Sequence, residues 1–563
     1  MASSDFISSN GSLTRRDLAT SALGAALIAG PRDVSASEVL LADWNRHGAA
    51  NIRAFGAVGD GQHDDTAAIR NAIAHCATSG SALHIPVGTF VITDSLVINT
   101  AVGFTIFGDG YASCIRPQAG GTYIPFFVQC NDFAATVGMH FRNFRIDANG
   151  TGQLDTGVIT LNGAVGGSVT QLWLENGTRR RGTSGQNGIS CSSGDAGGAG
   201  PAVIISGNVI RNFSKAGINF TSGGVHAVIT SNMIQDIAGN GTAPGIQVNG
   251  GRNAIIAHNH ITRTEGAGIY LTTDKLGHSS FSANVSHNIV EECGQSSLSQ
   301  GDGILISSAL RSDSYIIVEG NHLYGNGVPK NGGSGIRIEN CDNALIAGNL
   351  CHHNNFDGIR VENCSFLQIM GNRCADNNVA GVKFAGGIQL RGSGTHINVT
   401  GNHLASKGST QSYAIIADAA AELSFITIAG NHTSGNAEGS IFWQARGCPL
   451  DVETTLQRKT SGSAPTAVLL WRIDPSASCW ISITITGRLH GSSQRSTYVR
   501  QVAYQMHEGA LTQEVTPYAD SIFNSAAWGG VTFDSSGGYA VARVSGASDA
   551  EIEWIGTAVI RSV

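Results

Sequence analysis

Residues 335–372 read GIRIENCDNALIAGNLCHHNNFDGIRVENCSFLQIMGN, and this stretch contains the same two phrases twice. GIRIENC at Gly335 returns as GIRVENC at Gly358, and the asparagine that ends LIAGN at 349 returns at the end of QIMGN at 372. Both pairs are 23 residues apart, so the chain repeats one structural unit in fixed phase.

The repeat extends to both sides of this stretch. An asparagine closing a short apolar phrase recurs at intervals of 23 to 33 residues, at Asn208, Asn232, Asn259, Asn288, Asn321, Asn349, Asn372, Asn402 and Asn431. Between successive asparagines lies a glycine followed by alternating apolar residues, as in GIQV from Gly245 and GILI from Gly303. Each unit therefore predicts at least two strands, each with one apolar face.

Such strands, in a repeat too short for a crossover helix, can bury their apolar faces only by coiling around a common axis. The sequence therefore predicts an all-β fold built on a parallel β-helix, and the usual hand of parallel connections makes it right-handed. Because coils stack at about 4.8 Å, the recurring asparagine is expected at a left-handed turn position, with its amide bonded to its counterpart one coil away.

Composition and charge limit the partners of the protein. Of 563 residues, 74 are Gly and only 11 are Pro, which fits many tight turns between short strands. The formal net charge of −7 gives no basic surface for nucleic acid, which we do not expect as a partner. A polyanionic substrate would need a local basic patch.

The N-terminus has the features of an export address. Arg15 and Arg16 precede an apolar run at 19–30 and small residues at 34–36. This order is typical of a twin-arginine signal and predicts a signal peptide at 1–36 and a periplasmic or secreted protein. The apolar run is shorter than the ~20 residues of a membrane span, so none is expected. The alternative is an N-terminal helix that merely contains two arginines.

A β-helix has two open ends that must be covered. In FGAVGDGQHDDTAAI, residues 55–69, Asp64 and Asp65 stand directly before an amphipathic helical pattern. An aspartate there would cap the first N–H groups, so we interpret the acidic cluster as the start of a capping helix and not as a catalytic group. We assign 37–110 to the capping segment and first coils, and 111–445 to the parallel β-helix.

The same region resembles a known superfamily. NIRAFGAVGDGQHDDTAAIRNAIAHC at 51–76, followed by ALHIPVGTFVI at 82–92, is similar to the N-terminal segment of pectate-lyase-like proteins, including polygalacturonase-related and rhamnogalacturonase/epimerase-like members. The resemblance is close over about 50–110 and looser to about 440. It implies the β-helix fold, while members include hydrolases, lyases, epimerases and non-catalytic proteins. The polygalacturonase acids are absent in their usual Asp-Asp and Gly-His-Gly settings, so no catalytic residue carries over.

The strands that begin at each Gly-Ile phrase are expected to line a groove with their outward side chains, since longer polar insertions follow them. A ladder of such positions suits a linear sugar chain. The predicted catalytic residues are Asp302, Arg337, Glu339, Asp357, Arg360 and Glu362. The predicted substrate-binding residues are Gln247, Tyr270, Asp274, Lys275, Gln389 and Arg391.

Two chemistries fit these residues. A hydrolase needs two carboxyls ~5 to 9.5 Å apart, which the four acids on neighbouring coils could supply. A lyase or epimerase instead needs a base and a cation that neutralises a uronate. Arg337, Arg360 and Lys275 could serve as base or clamp, with Tyr270 or His278 assisting. The near-duplicate GIRIENC and GIRVENC phrases equally predict an Arg/Glu ladder that only neutralises itself on a solvated face. Asp302 and Asp357 depart from the repeat, which favours a specific role.

No metal site or cofactor is predicted. Histidines such as His260 and His322 follow the ladder asparagines, so turn packing explains them better than metal binding. Ca²⁺ would fit acidic groove residues if the substrate is a uronate polymer. The cysteines number 11, and Cys351 and Cys374 occupy equivalent positions. We interpret them as stacked buried thiols, a disulfide being the alternative.

After about residue 445 the asparagine repeat stops. Alternating apolar and polar runs at 446–563 predict an antiparallel β-sandwich. This pattern resembles the C-terminal modules of phage tailspikes, which implies a homotrimer. Together these features predict an exported enzyme that depolymerises a polysaccharide, either a glycoside hydrolase or a polysaccharide lyase. The alternative is a non-catalytic carbohydrate-binding or adhesion rod.

Overall fold

The computed structural model describes most of the chain from residue 48 onward. The described residues are 48–99, 103–130, 137–150, 152, 155–163, 165–177, 185–192, 202–221, 226–239, 242–250, 253–272, 281–296, 301–312, 314–329, 332–408, 410–445, 451–472, 478–490, 495–507, 510–514, 523–524, 530–536, 539–545 and 551–562. The expected signal at 1–36 and the candidate residues Asp274 and Lys275 lie outside these ranges. Within the ranges, no helix has the length and apolar character needed to cross a membrane.

The chain winds through three parallel sheets, A, B and C, and each full coil gives one short strand to each sheet. The sheet A strands are Ala49–Asn51, Ala82–Ile85, Thr105–Gly108, Val137–Arg142, Val165–Thr170, Val203–Ser206, Ala227–Thr230, Ala254–Ala257, Phe281–Ser286, Ser314–Glu319, Ala344–Ala347, Leu367–Met370, Ser393–Thr400 and Glu422–Ser434. The last of these strands continues into sheet B.

Sheets B and C follow A around each coil. The sheet B strands are Asp60–Asp64, Gly88–Ile92, Ser113–Pro117, Arg145–Asp147, Trp173–Glu175, Val209–Phe213, Met233–Ile237, His260–Thr264, Ile289–Glu291, His322–Tyr324, Leu350–His352, Arg373–Ala375 and His403–Ala405. The sheet C strands are Val97–Asn99, Phe126–Cys130, Gly157–Gly163, Asn187–Ser192, Ile218–Thr221, Ile246–Asn249, Ile269–Thr272, Ile304–Ser312, Ile336–Cys341, Ile359–Glu362, Ile388–Arg391, Tyr413–Ala417 and Gly439–Trp443.

Aliphatic side chains fill the interior of the coils in columns. In sheet C, Ile304, Ile336, Ile359 and Ile388 are register partners in consecutive coils and are fully buried. β-Branched side chains pack well on a pleated surface, which explains why the repeat prefers Ile and Val at inward positions. The predicted parallel β-helix is confirmed.

The asparagine ladder is also confirmed, with one correction. The side chain of Asn349 accepts from the backbone N–H and Nδ2 of Asn321 at 3.0 Å, and its own Nδ2 donates to Asn372 Oδ1 at 2.9 Å. The asparagine itself was expected to adopt the left-handed conformation. The residue before it does so instead, for example His258 with φ 56°. The asparagine is thereby free to turn its amide inward along the axis of the coils.

The N-terminal end is covered as predicted by a helix, α1, Thr66–Ser79, which follows the 3₁₀ turn Ile52–Phe55. Asp64 accepts the backbone N–H of Thr66 at 3.0 Å and so caps the helix. Asp65 does not cap with its side chain: its buried carboxylate accepts the N–H groups of Val58 and Gly59 instead. The acidic cluster therefore builds the cap of the β-helix.

The C-terminal residues form antiparallel sheets that continue sheets A and C. The strands Asp451–Ser461, Ser478–Leu489, Arg495–His507, Ala510–Glu514, Phe523–Asn524 and Glu551–Ser562 extend sheet A, and Thr466–Arg472, Gly530–Ser536 and Tyr539–Ser545 extend sheet C. Apolar side chains of both, such as Ile483 and Val541, are buried, and Trp554 is fully buried. Trp554 is thus a core residue.

The nine cysteines whose side chains the structure describes are buried free thiols, as expected. Cys351 and Cys374 face each other as register partners in sheet B, and both are fully buried. Burial of this kind suits a thiol that packs as a small apolar side chain.

Candidate functional site on sheet C

The predicted groove residues lie on the outward face of sheet C in two parallel columns. One column runs through Asn219, Gln247, Tyr270, Leu305, Arg337, Arg360 and Gln389. The other runs through Asn249, Thr272, Ser307, Glu339, Glu362 and Arg391. The strand alternation that buries the isoleucines places these side chains outward. Neighbours in a column lie about 4.8 Å apart, which is the spacing of adjacent strands.

Arg337 is the centre of a charged cluster. Its guanidinium forms a short ion pair with Glu339, lies 3.7 Å from a Glu362 oxygen, and lies 3.9 Å from Asp302 Oδ2. In the next coil, Arg360 donates to Glu362 at 2.7 Å. Five of the six predicted catalytic residues therefore form one cluster. They are the two stacked arginines, Arg337 and Arg360, and the acids Asp302, Glu339 and Glu362.

The cluster is not an open, solvated ladder. The side chains of Arg337 and Arg360 are only 14% and 12% exposed. Burial raises the pKa of Glu362, but the hydrogen bond from Arg360 and the nearby arginine charges outweigh it and lower the pKa overall. Glu362 is therefore held as a carboxylate.

Asp302 and Asp357 occupy the floor beneath this face and are 3% and 1% exposed. Each accepts one backbone N–H from the following coil at 2.8 Å, Asp302 from Ser334 and Asp357 from Gly386. Burial raises the pKa of Asp302, and it raises that of Asp357 to about 7. Two coils separate them, roughly 9 to 10 Å, so they do not converge on one cleft.

Three polar atoms in the cluster lack hydrogen-bond partners within the described part of the chain. They are Asp302 Oδ2, Arg337 Nε and Arg360 Nε, and all three are buried. Unsatisfied buried polar atoms are rare in folded proteins, and each calls for a functional explanation. A purely structural Arg/Glu ladder would be expected to satisfy its own donors.

The predicted substrate-binding residues extend the face on both sides. Arg391 donates to Asp418 at 2.6 Å, and Gln247 Nε2 donates to Asn249 at 3.2 Å. Tyr270 is half-buried in the same column as Gln247. Gln389 Nε2 donates to the carbonyl oxygen of Phe384 at 3.2 Å.

Phe384, the partner of Gln389, belongs to an aromatic group that the sequence did not predict. Phe384 and Tyr413 both stack on Phe442, with ring centroids 5.1 and 4.9 Å away. Phe442 lies in the Gln389 column, two coils further on, and Phe384 is 37% exposed. Phe384 precedes its strand, so no repeat phrase contains it. Aromatic faces of this kind suit stacking against sugar rings.

Some of the histidines lie in sheet B strands rather than in turns, and there His322 stacks on His352 with ring centroids 4.8 Å apart. Among the described residues, no group of three His, Cys, Asp or Glu side chains could hold a metal ion.

Comparison with known families confirms the resemblance seen in the sequence. Residues 49–270 match the family described as "Rhamnogalacturonase A/epimerase, pectate lyase-like", and residues 284–448 match "Right handed beta helix region". The second match also confirms the predicted hand of the coils. No curated protein matches the sequence significantly.

Solved structures share the fold at low identity. The chain resembles the Azotobacter vinelandii mannuronan C-5 epimerase AlgE4 A-module, with 17% identity over 71% of this chain and 99% of that one and a TM-score of 0.50. It also resembles pre-mature gene product 12 of bacteriophage phi29, with 14% identity, 70% and 57% coverage and a TM-score of 0.50. The Streptomyces thermodiastaticus GH87 α-1,3-glucanase catalytic unit aligns with 18% identity, 70% and 65% coverage and a TM-score of 0.48. The two likenesses with a TM-score of 0.50 show that the fold is shared.

Proposed function

We propose that the protein is an enzyme that depolymerises a polysaccharide bound along the outward face of sheet C. The observation that carries this proposal is the set of buried polar atoms without hydrogen-bond partners around Arg337, beside carboxyls whose pKa values are shifted in opposite directions, lowered for Glu362 and raised for Asp302. Environments that push neighbouring pKa values apart assign acid and base roles in many active sites. The match to a pectate-lyase-like family supports the same substrate class.

Hydrolysis fits the charges better than elimination. Arg337, Arg360 and Arg391 are balanced by Glu339, Glu362 and Asp418, so this face concentrates no net charge. Elimination requires a uronate, whose charge an unbalanced basic surface would attract. We therefore expect a neutral polysaccharide, and Ca²⁺ would enter only if the substrate proves to be a uronate polymer.

In hydrolysis, the ionised Glu362 is the base or nucleophile. Asp302 and Asp357 stay protonated to higher pH and are the proton donors closest to the cluster. Arg337 and Arg360 orient Glu362 and stabilise negative charge at the reacting oxygens.

The test is an incubation of the mature protein with plant, algal and bacterial polysaccharides, scoring new reducing ends and the ultraviolet absorbance of unsaturated uronate. Reducing ends without absorbance would mean hydrolysis, and both signals together would mean elimination. Glu362→Gln should lower the rate at least 100-fold. Glu319→Gln, an exposed glutamate on sheet A, is the matched control and should keep full activity. No signal from the wild type across the panel would contradict the proposal.

A non-catalytic rod is the second candidate, and one observation favours it. Glu339, Glu362 and Asp418 are each paired with an arginine, while Asp302 and Asp357 are closed off from the surface. A rod would bind glycan without cleaving it, so binding without new reducing ends would select this function.

We further propose export through the twin-arginine signal at 1–36 and assembly as a homotrimer. The Arg15-Arg16 pair followed by an apolar run supports the first, and the tailspike-like sequence pattern after residue 445 supports the second. Retention in the cytoplasm after replacing both arginines by lysine would test the signal, and light scattering of the purified protein would give the subunit number.

A further inference from the structure

A second feature lies on a different edge of the β-helix, where the sheet B strands end and the chain turns toward sheet C. The residues at this turn adopt a left-handed conformation in successive coils, with φ between 53° and 63° at Asp236, Arg263, Glu292, Gly325 and His353. All carry side chains except Gly325. A Cβ added there would touch nothing closer than Glu292 Cγ at 3.9 Å, so the column has a gap at this coil.

The gap opens into a cavity of about 680 Å³. Tyr324 and the apolar residues Val328 and Pro329 line one part of it, and charged residues of the preceding coils line another. None of the charged residues of the sheet C cluster lines this cavity. A volume of this size is in the range of small-molecule sites.

Close packing of glycines shapes the loops next to the cavity. A Cβ on Gly327 would lie 2.6 Å from the Cα of Gly333, and one on Gly333 would lie 2.4 Å from the carbonyl oxygen of Gly301. Gly327 and Gly333 belong to one loop and Gly301 to the loop of the preceding coil, so two successive loops touch through their backbones, which no larger residue would allow. The cavity wall is therefore held by the coils themselves.

The polar groups that line the cavity are fixed in orientation by hydrogen bonds. Arg263 donates to both oxygens of Asp236, at 2.7 and 3.0 Å, and Glu265 accepts the backbone N–H of Gly239 at 2.8 Å. Asn355, 8% exposed, also lines the cavity. Its Nδ2 donates to the carbonyl oxygen of Gly327 at 2.7 Å, while its Oδ1 is buried with no partner in the described residues. The Asn355 side chain therefore holds the backbone of the Gly327 loop at the cavity wall.

The charges define the ligand further. Asp236, Glu265 and Glu292 contribute three carboxylates against one guanidinium, Arg263, so the cavity repels anions. Tyr324 is 37% exposed and packs against His352 with ring centroids 4.9 Å apart and ring planes tilted by 41°, which leaves an aromatic surface at the wall. Hydroxyl groups and amines can donate to the carboxylates while a ring packs on the tyrosine.

We infer that this cavity is a second carbohydrate site, which binds a sugar unit without acidic groups, either neutral or amino-substituted, away from sheet C. The choice of a sugar as ligand rests on the proposed function, whereas the exclusion of anions rests on the cavity alone. A site at this edge would hold the polymer on the enzyme between cleavage events.

The experiment is titration calorimetry of the full chain with neutral oligosaccharides, chitosan oligosaccharides and oligogalacturonates. Neutral or amino oligosaccharides should bind, and Tyr324→Ala and Glu292→Gln should each weaken that binding at least fivefold. Tyr315→Ala is the matched control, since this tyrosine is 65% exposed on sheet A, and its affinity should stay within twofold of wild type. Binding that Tyr324→Ala leaves unchanged, a preference for oligogalacturonates, or no binding by any neutral or amino oligosaccharide would overturn the inference.

The variant Arg360→Gln separates this inference from the proposed function. If both are right, Arg360→Gln loses depolymerisation and keeps the Tyr324-dependent binding, and Tyr324→Ala keeps cleavage of short substrates. A wild type that cleaves nothing but binds neutral sugars through Tyr324 would contradict the proposed function and support the cavity.

Discussion

Replacing Asn349 by alanine should show how much one rung of the asparagine ladder stabilises the β-helix. In the wild type, Asn349 Oδ1 accepts from the backbone N–H and the Nδ2 of Asn321. Its Nδ2 donates to the carbonyl oxygen of Val318 and to Asn372 Oδ1 at 2.9 Å each. All four hydrogen bonds lie inside the coils, where water cannot replace them.

The expected loss follows from the partners left behind. Alanine removes the acceptor of the Asn321 backbone N–H and the side-chain donor to the Val318 carbonyl, and an unsatisfied buried group costs about 1–3 kcal/mol. Two such groups give about 2–6 kcal/mol, to which the lost packing of the amide adds. Asn321 Nδ2 and Asn372 Oδ1 each keep another partner, so they add less.

The assay is urea denaturation followed by circular dichroism, with hydrogen exchange to locate the effect, because stacked coils unfold in parts. Exchange should rise mainly in the coils that contain Asn321, Asn349 and Asn372. Gln368→Ala, an exposed sheet A position in the neighbouring coil, is the control and should change the free energy of unfolding by less than 0.5 kcal/mol. A loss below 1 kcal/mol for Asn349→Ala would refute the view that the ladder stabilises the fold.

Three further outcomes are expected. Because burial raises the pKa of Asp357 from 3.8 to about 7, the folded state keeps a proton that the unfolded chain releases, so the free energy of unfolding should fall by up to about 4 kcal/mol as pH rises from about 4 to 7. In Asp357→Asn, the free energy of unfolding measured by denaturation should change less between pH 4 and 7 than in the wild type. Identical pH profiles for the variant and the wild type would contradict this expectation. Gly245→Ala places a Cβ 2.7 Å from the carbonyl oxygen of Gly268 and should lower the free energy of unfolding by about 1–3 kcal/mol. Gly138→Ala, whose Cβ meets no atom closer than 3.8 Å, should leave it unchanged, and thermal melts of the two variants would compare them. The nine cysteines whose side chains the structure describes are buried, and burial raises the pKa of Cys293 to about 11, so thiol titration should detect no more than two of the 11 cysteines before denaturant is added.

Spacing alone predicted much of the fold. The interval between Asn349 and Asn372, combined with the alternation after Gly335 and Gly358, correctly placed Arg337 beside Arg360 and Glu339 beside Glu362. The sheet B strands were harder to read because several, such as Leu350–His352, contain three residues and show no period. The left-handed position was assigned to the asparagine itself because that residue recurs, whereas its neighbour varies among Gly, Ser and His.

The site was predicted less completely than the fold. Asp302 and Asp357 could be identified because they depart from the repeat, but the depth of their burial depends on how neighbouring coils close over them. The aromatic group at Phe442 and the cavity beside Gly325 combine residues from loops of different length, which no repeat phrase aligns. Contacts of that kind follow from three-dimensional packing and leave no periodic signal.

The C-terminal sheets have a consequence for the behaviour of many copies together. The strand Asp451–Ser461 pairs in parallel with the last sheet A strand, and on its other edge it pairs antiparallel with Glu551–Ser562. A coil without this partner would leave the backbone N–H and C=O groups of its sheet A edge unpaired, and two such molecules could pair through these open edges. The antiparallel strands prevent that contact, so a chain ending at residue 445 should form dimers or larger aggregates that light scattering detects.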